Sequence, residues 1–342
     1  MHTAPLRLPH GLLASLLRHI YAAGLVALTG LCLVPVQAQE LSSLPGAFVN
    51  IGFGARPAAL GNAYVALADD AQAIMWNPAG LAQSGRYGLA FSYIDHLGLV
   101  EYQHMAASIP LRTGGLGLAV HASGDEALQE LVVLAGYARP LGDALKLGVN
   151  AKYRRASFGN NAMGDADLSI FDPGEVAEAM LNQVTGTASG FGFDVGLLYQ
   201  ATPKMRLGVT VRDAAAPVNW QSAVANTTNT AQGSYTEAVP LELAVGSAYR
   251  VSEQFLVTAD YNPALSSELT NRLHVGVEAK LLSILALRGG MQQFVNGLSD
   301  EKYAVGFGLD IPFVQAARIM ADYTYLVESL ANTQHVSLSI AF

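Results

Sequence analysis

The chain has 342 residues, of which 51% are hydrophobic and 13% charged, and its formal net charge is −8. A soluble domain usually carries about 25% charged residues, so this composition is unusual for one. The acidic balance argues against nucleic-acid binding. The single cysteine excludes a disulfide scaffold and a thiolate metal site.

Residues 1–38 have the pattern of a secretory signal peptide. Arg7 and Arg18 carry the early positive charge, an apolar run extends from 20 to 34, and residues 36–38 offer the small side chains that signal peptidase requires. No later segment reaches about eighteen consecutive apolar residues, so the sequence predicts an exported protein without a transmembrane helix.

Residues 39–86 are predicted to form a short, partly helical plug that precedes the first strand. The segment is rich in Ala and Gly, has few charges and shows no clean period of two. Apolar side chains such as Phe53 and Trp76 are unusual in a linker, so we expect the segment to pack inside a barrel lumen. Asn77 is a predicted N-cap with Pro78 at the first helical position. These two residues begin the candidate plug and transport motif Asn77, Pro78, Ala79, Gly80 and Leu81.

The remainder of the chain, residues 87–342, alternates between apolar and polar or small side chains. In the last eight residues the even-numbered positions are mostly large and apolar, whereas the odd-numbered ones are small or polar. Successive side chains of a strand point to opposite faces, so this period of two predicts strands with one apolar face. About fourteen strands are predicted, with starts near Tyr87, Val100, Gly115, Leu128, Ala144, Ser189, Pro203, Val239, Glu253, Asn271, Ser283, Glu301, Val314 and Asn332.

A soluble β-sandwich also alternates, but its strands are usually about five or six residues long. The strands predicted here run to about ten residues, which is long enough to cross a bilayer at a tilt. We therefore predict an all-β protein, a transmembrane antiparallel β-barrel of about fourteen strands, in the outer membrane and surrounded by its lipid. The two longest connections, 157–188 and 213–238, fall on one side and are expected to be external.

The sequence offers little support for catalysis. His335 and Ser337 resemble the His-x-Ser pair of the outer-membrane phospholipase, but the parity of Val336 turns this pair towards the lumen instead of the lipid. The other mature histidines form no sequence cluster, and there is no Gly-x-Ser-x-Gly nucleophile motif. Charged residues on the inferred inner face are of both signs, which favours structural pairing across strands. The sequence predicts no enzyme, cofactor or metal site.

Residues 51–81, IGFGARPAALGNAYVALADDAQAIMWNPAGL, resemble the N-terminal signature of the PorV/PorQ family, a branch of the FadL-like outer-membrane proteins. Gly-Ala-Arg, Gly-Asn-Ala-Tyr, Ala-Asp-Asp and Asn-Pro-Ala-Gly-Leu occur in the expected order. The resemblance implies a fourteen-stranded barrel with an N-terminal plug. It also implies one of two roles: an outer-membrane component of type IX protein secretion and surface attachment, or a channel for long-chain fatty acids or other hydrophobic compounds.

Of these two roles the secretion component is slightly favoured, with type IX components and cargo proteins as partners. The channel remains the alternative, with a hydrophobic small molecule as its partner. In fatty-acid transporters, external loop helices shape a hydrophobic access groove. The corresponding candidates for an external access site in this chain are Val176, Met180, Leu181 and Trp220.

Overall fold

The structure is a computed structural model that describes residues 52–83, 85–124, 128–159, 184–225, 230–266, 269–295, 301–314 and 317–342. The predicted signal peptide, residues 1–38, lies outside the described residues. So do Val176, Met180 and Leu181 of the candidate access site.

The described chain contains three short helices followed by strands. The helices are α1 (Ala55–Ala59), α2 (Ala73–Trp76) and a 3-10 helix, η1 (Pro78–Ala82). The strands are β1 (Gly88–His96), β2 (Val100–Leu111), β3 (Gly114–Gly124), β4 (Leu128–Leu141), β5 (Leu145–Phe158), β6 (Val184–Thr202), β7 (Met205–Ala214), β8 (Pro217–Ala225), β9 (Thr230–Ala238), β10 (Glu242–Arg250), β11 (Phe255–Asn262), β12 (Arg272–Lys280), β13 (Leu285–Phe294), β14 (Lys302–Val314), β15 (Ala317–Val327) and β16 (Thr333–Ala341). Among the described residues, no helix is both long and apolar enough to cross a membrane.

Fourteen of these strands form a closed antiparallel barrel. Strands β1 to β7 pair in sequence order, β7 pairs with β10, and β10 to β16 continue in order. The barrel closes where β1 meets β16, with Gly88 opposite Ala341 and Asp95 opposite Gln334. The predicted number of strands is therefore confirmed, and closure leaves none of these strands with a free edge.

The two faces of the barrel wall differ as the sequence predicts. On β6, Phe193 and Val195 are 51% and 42% exposed, whereas Asp194 between them is 1% exposed. The same alternation runs along β4 and β16. An apolar outer face around a polar lumen requires lipid outside, because water would meet a continuous apolar band. The protein is an outer-membrane β-barrel.

The connection 213–238, which we predicted to be a loop, instead contains the hairpin β8–β9. Strand β6 is long enough to pair with β7 near its C-terminal end and with β8 near its N-terminal end. The hairpin thus extends the wall beyond the ladder of β7. Its outward residues, including Asn219 and Gln221, are polar, so the apolar face that marks the other strands is missing from this part of the sequence.

The chain from Gly52 to Gln83 lies inside the barrel and is called the plug below. Helix α1 contacts β13 to β16, and η1 contacts β2 to β6 on another part of the wall. Tyr64, Leu60 and Ile74 are fully buried. The plug and the apolar wall residues packed against it, such as Leu134, therefore form the main hydrophobic core, and the wall also supplies polar partners.

Candidate functional site in the barrel lumen

The residues Asn77–Leu81, called the NPAGL anchor below, attach the plug to the wall. Asn77 is fully buried, and its Oδ1 accepts a hydrogen bond of 3.1 Å from the Ala79 amide, which caps η1. Its Nδ2 donates to the carbonyl oxygens of Val65 at 2.9 Å and Leu197 at 3.1 Å. One side chain thus joins the 3-10 helix, the middle of the plug and strand β6.

Glycines of the wall allow the plug backbone to approach closely. A Cβ atom added at Gly148 on β5 would overlap with the backbone of Pro78 and Ala79. At Gly196 on β6 it would overlap with the side chains of Asn77 and Pro78. At Gly208 on β7 it would lie 2.6 Å from the carbonyl oxygen of Val65, closer than van der Waals contact permits. Larger wall residues at these positions would displace the plug.

Buried wall side chains also bind the plug backbone. Asp260 accepts a hydrogen bond of 2.8 Å from the Val65 amide, and Thr258 donates one of 2.9 Å to the Ala63 carbonyl. Near α1, Ser337 accepts from the Ala55 amide at 2.7 Å and Thr324 donates to the Ala55 carbonyl at 2.6 Å. Short helices leave many backbone groups unpaired, and these side chains satisfy them in a site without bulk water.

Arg56 of α1 joins the plug to a chain of ion pairs on the wall. Its guanidinium contacts Asp69 within the plug at 2.8 Å and Glu278 on β12 at 2.9 Å. Arg288 on β13 contacts Glu278 at 2.7 Å and Asp322 on β15 at 2.5 Å. Each buried charge of this network therefore faces an opposite charge, which is the condition for keeping ions in a low-dielectric interior.

Asp70 is the plug carboxyl that is least compensated. Burial raises the pKa of Asp70 to about 6, the nearby Asp69 adds to the rise, and Arg56 together with a hydrogen bond from Tyr64 opposes it. The Tyr64 hydroxyl lies 2.9 Å from Asp70 Oδ2, and the Gln72 amide lies 3.0 Å from Oδ1. The seated plug thus favours the protonated form of Asp70.

The segment Gly52–Gly54, called the Phe53 strap, is held differently from the NPAGL anchor. The Phe53 ring stacks on His121 of β3, with ring centres 4.5 Å apart, and lies 5.0 Å from the His104 ring of β2. The Phe53 carbonyl accepts a hydrogen bond of 2.9 Å from the indole nitrogen of Trp76. Its attachment to the wall is therefore a contact between rings.

The predicted pairing of lumen charges is present. Lys152 on β5 contacts Asp194 at 2.7 Å and Asp213 at 2.9 Å, and Arg154 also pairs with Asp213. These groups lie near the bulge where β6 changes its partner from β7 to β8. They hold the wall together at that point and leave little uncompensated charge in this part of the lumen.

The His335 and Ser337 pair does face the lumen. His335 and Ser337 are 2% and 1% exposed, whereas Val336 is 48% exposed. Ser337 binds the Ala55 amide and lies 2.9 Å from Ser92 Oγ, so its hydroxyl supports the plug. Across the described ranges, no group of three or more His, Cys, Asp or Glu side chains is arranged to hold a metal ion.

Trp220 of the candidate access site lies on β8, not in a loop, and is 9% exposed. Its ring stacks on Tyr235 at 5.9 Å and lies 5.8 Å from Phe158. Trp220 forms a buried apolar cluster with Ala188 and Val218, and Phe158 packs against this cluster near the long connections. The described part of the access site is therefore packed.

Sequence reasoning did not identify His104 and His121 as site residues, because they lie 17 positions apart and form no motif. They are nevertheless direct cross-strand partners in the β2–β3 ladder. The available signal was parity, since both positions fall on the inner face of adjacent predicted strands. Their contact with Phe53 joins residues far apart in the chain, and no local pattern reports it.

Comparisons with known proteins give two kinds of similarity. A sequence profile of the Uncharacterised protein family (UPF0164) matches residues 194–342, which is less than half of the chain. No curated protein matches the chain by sequence.

Solved structures with the same fold are more numerous. The CymD monoaromatic hydrocarbon channel is 17% identical with a TM-score of 0.56, and the match covers 86% of this chain and 98% of that one. The Pseudomonas putida toluene transporter TodX is 13% identical with a TM-score of 0.55, covering 85% and 97%. A Pseudomonas aeruginosa FadL homologue is 12% identical with a TM-score of 0.56, covering 85% and 98%. At these identities the similarity shows that the chain has the FadL-like barrel fold.

Proposed function

We propose that this protein is a non-catalytic conduit for hydrophobic small molecules across the outer membrane, and that the plug controls their passage. The observation that carries the proposal is the packing of the plug against the wall of a closed barrel, from β13–β16 through β7 to β3–β6. A barrel filled in this way passes a solute only when part of the plug moves. The plug therefore is the natural place for selectivity.

The fold neighbours support this role over type IX secretion, which the resemblance to the PorV/PorQ family slightly favoured. Two of these structural neighbours are named for what they transport: one is a monoaromatic hydrocarbon channel and the other is a toluene transporter. The packed plug argues in the same direction, because a small molecule needs only a local shift of the plug. A secreted protein would require a far wider opening, and the Asn77 and Arg56 contacts would all have to break.

The lumen chemistry suits a neutral cargo. Most charged wall residues near the plug are paired with one another, as in the Lys152, Asp194 and Asp213 group, and Asp260 is bound to the Val65 amide. Paired charges attract ions weakly, whereas Phe53 and Trp76, which are buried in the seated plug, would offer apolar contacts to a cargo once part of the plug moves. We propose that Trp220, with Val176, Met180 and Leu181, forms the external access site where the cargo first binds.

The test is a deletion strain that carries the gene on a plasmid, assayed for two activities in parallel. One assay measures uptake of labelled toluene and of a labelled long-chain fatty acid, and the other measures secreted and surface-attached protein. We expect deletion to reduce uptake and the plasmid to restore it, with protein secretion unchanged. Loss of secreted protein with normal uptake would replace this proposal with the secretion role. A matched control is a plasmid carrying Phe193→Ala, which changes a lipid-facing residue only.

A further inference from the structure

Five rings form a continuous row along the inner wall, here called the ring row: His96, Tyr102, Phe53, His104 and His121. His96 is the last residue of β1, at the end of the barrel that carries the long connections. Its ring lies 6.2 Å from Tyr102, which lies 6.3 Å from Phe53. The row therefore leads from the barrel rim to the plug, and Phe53 is its one member that the plug contributes.

The two imidazoles under Phe53 have unused hydrogen-bonding groups. His104 is fully buried, and within the part of the chain that the structure describes neither of its ring nitrogens has a hydrogen-bond partner. Nδ1 of His121 is likewise without a partner there. Buried polar atoms nearly always have hydrogen-bond partners, so a cluster of unpaired ones indicates a functional role. The atoms lie beside a phenyl ring that satisfies none of them.

Phe53 has the chain geometry of a movable residue. The φ angles of Gly52 and Gly54 on either side are 80° and 99°, values that glycine adopts readily and other residues rarely do. A Cβ atom at Gly54 would overlap with the side chain of Gln72, so this position requires glycine. Phe53 is thus flanked on both sides by backbone conformations that glycine adopts readily, and its ring makes no hydrogen bond to the wall.

We propose that the slot beneath Phe53, between His104, His121 and Tyr102, binds a neutral molecule with one aromatic ring and a hydroxyl group, which displaces the Phe53 ring. The phenyl ring of Phe53 occupies the slot, so the slot accommodates one six-membered aromatic ring. A neutral imidazole has one donor and one acceptor nitrogen, and a hydroxyl can serve both. The nearby bases Lys152 and Arg154 are already paired with acids, so a carboxylate would lack a cation. The proposal names the substrate class of the conduit and rests on that proposed function.

Trp76 provides a reporter for this displacement, since its indole nitrogen donates to the Phe53 carbonyl. The sequence contains two tryptophans, so Trp220→Phe, which keeps an aromatic ring at that position, leaves Trp76 as the sole tryptophan. This protein, purified in detergent, is titrated with phenol and with toluene, which has nearly the same shape and no hydroxyl. We expect both to shift Trp76 emission, and phenol to bind about tenfold more tightly, the effect of one buried hydrogen bond. Calorimetric titration of the protein with Trp220 intact checks that the Trp220→Phe background does not itself change either affinity.

Substitutions at the slot distinguish the contribution of the ligand's hydroxyl group to the affinity from that of its aromatic ring. His104→Phe with His121→Phe keeps the rings and removes the nitrogens, so the preference for phenol should disappear while toluene still binds. Phe53→Ala removes the internal competitor and should tighten both ligands, whereas the lipid-facing Phe193→Ala should change neither. A folded barrel changes its gel mobility on boiling, and this check shows whether the double histidine variant assembles. If it does not assemble, the single variant His121→Phe is used instead, and we expect it to lower the affinity for phenol at least about threefold.

Three results would contradict parts of this proposal. Equal affinities for phenol and toluene, or a phenol preference that survives removal of the nitrogens, would overturn the slot. An unchanged affinity in Phe53→Ala would overturn the displacement of the ring. Uptake by cells distinguishes this inference from the proposed function. Phenol binding without uptake of any hydrophobic compound would contradict the proposed conduit function but support the aromatic slot. Uptake of toluene without a preference for phenol would support the conduit function but contradict the slot.

Discussion

The NPAGL anchor and the Phe53 strap belong to one plug, but the wall holds them by opposite means. At the anchor, Asn77 uses both polar atoms of its side chain, Gly148 lets the plug backbone approach the wall backbone, and Gly196 makes room for the side chains of Asn77 and Pro78. At the strap, a phenyl ring covers two imidazoles, and three of their four nitrogens have no hydrogen-bond partner among the described residues. A satisfied polar contact is costly to break, while a stacked ring can be exchanged for another ring. The comparison indicates that the anchor is the fixed end and the strap the movable end of the plug.

The largest effect is expected when the anchor cannot seat. Gly148→Val places a branched side chain against the backbone of Pro78, and overpacking of this kind costs about 1–3 kcal/mol or more. We expect proteoliposomes containing this variant to swell in sugar solutions, because the lumen opens, while the gel mobility of the barrel still changes on boiling. Gly289→Val is the matched control, since the atoms nearest to an added Cβ there are 3.9 Å away. Equal swelling of both variants would contradict a fixed anchor.

Loss of the anchor side chains should have the next largest effect. Asn77→Ala with Pro78→Ala removes the cap of η1 and the donors to Val65 and Leu197, at a cost of about 2 kcal/mol. We expect partial swelling in sugar solutions and a lower uptake of hydrophobic cargo, with normal barrel assembly. Pro217→Ala with Asn219→Ala changes the same residue types on the exposed hairpin and serves as the control. Unaltered uptake in the anchor variant would mean that the anchor does not govern passage.

Shortening the strap should have a smaller and more selective effect. Phe53→Ala vacates the slot and leaves the anchor contacts in place, so sugars should still be excluded. Small aromatic compounds should pass faster, by several-fold if ring displacement limits their rate. Swelling assays with sugars and uptake assays with toluene measure the two effects on the same preparation. Sugar permeability as high as that of Gly148→Val would show that the strap, too, is a fixed support.

The smallest effect is expected from Asp70, which lies between the two regions. Its pKa of about 6 in the seated plug exceeds the usual value of about 3.9. Its contribution to seating is therefore complete below about pH 4 and is lost as the pH rises through about 6. Aromatic uptake should increase slightly between about pH 5 and pH 7.5, and Asp70→Asn should reduce this difference. Asp143→Asn in the β4–β5 turn is the control, and an equal pH response in Asp70→Asn would exclude Asp70 as its cause.

Local patterns in the sequence determined the barrel and the capping of the plug. The barrel strands begin within a few residues of the predicted positions, because a lipid-facing strand must alternate at every second residue along its length. Asn77 followed by Pro78 predicted a helix start for a similar reason, since capping depends on neighbouring residues in the chain.

Tertiary structure alone decided the features that depend on residues far apart in the chain and on where a strand lies in the barrel wall. The hairpin β8–β9 has polar outward residues such as Asn219 and Gln221, so it lacks the membrane signal and its sequence is typical of a loop. Phe53 meets His104 and His121 only because barrel closure brings the plug against β2 and β3. Alternation reports which face a side chain takes, but it does not report which residue lies across the lumen. That partner is set by strand register and plug packing together, and both exist only in the folded chain.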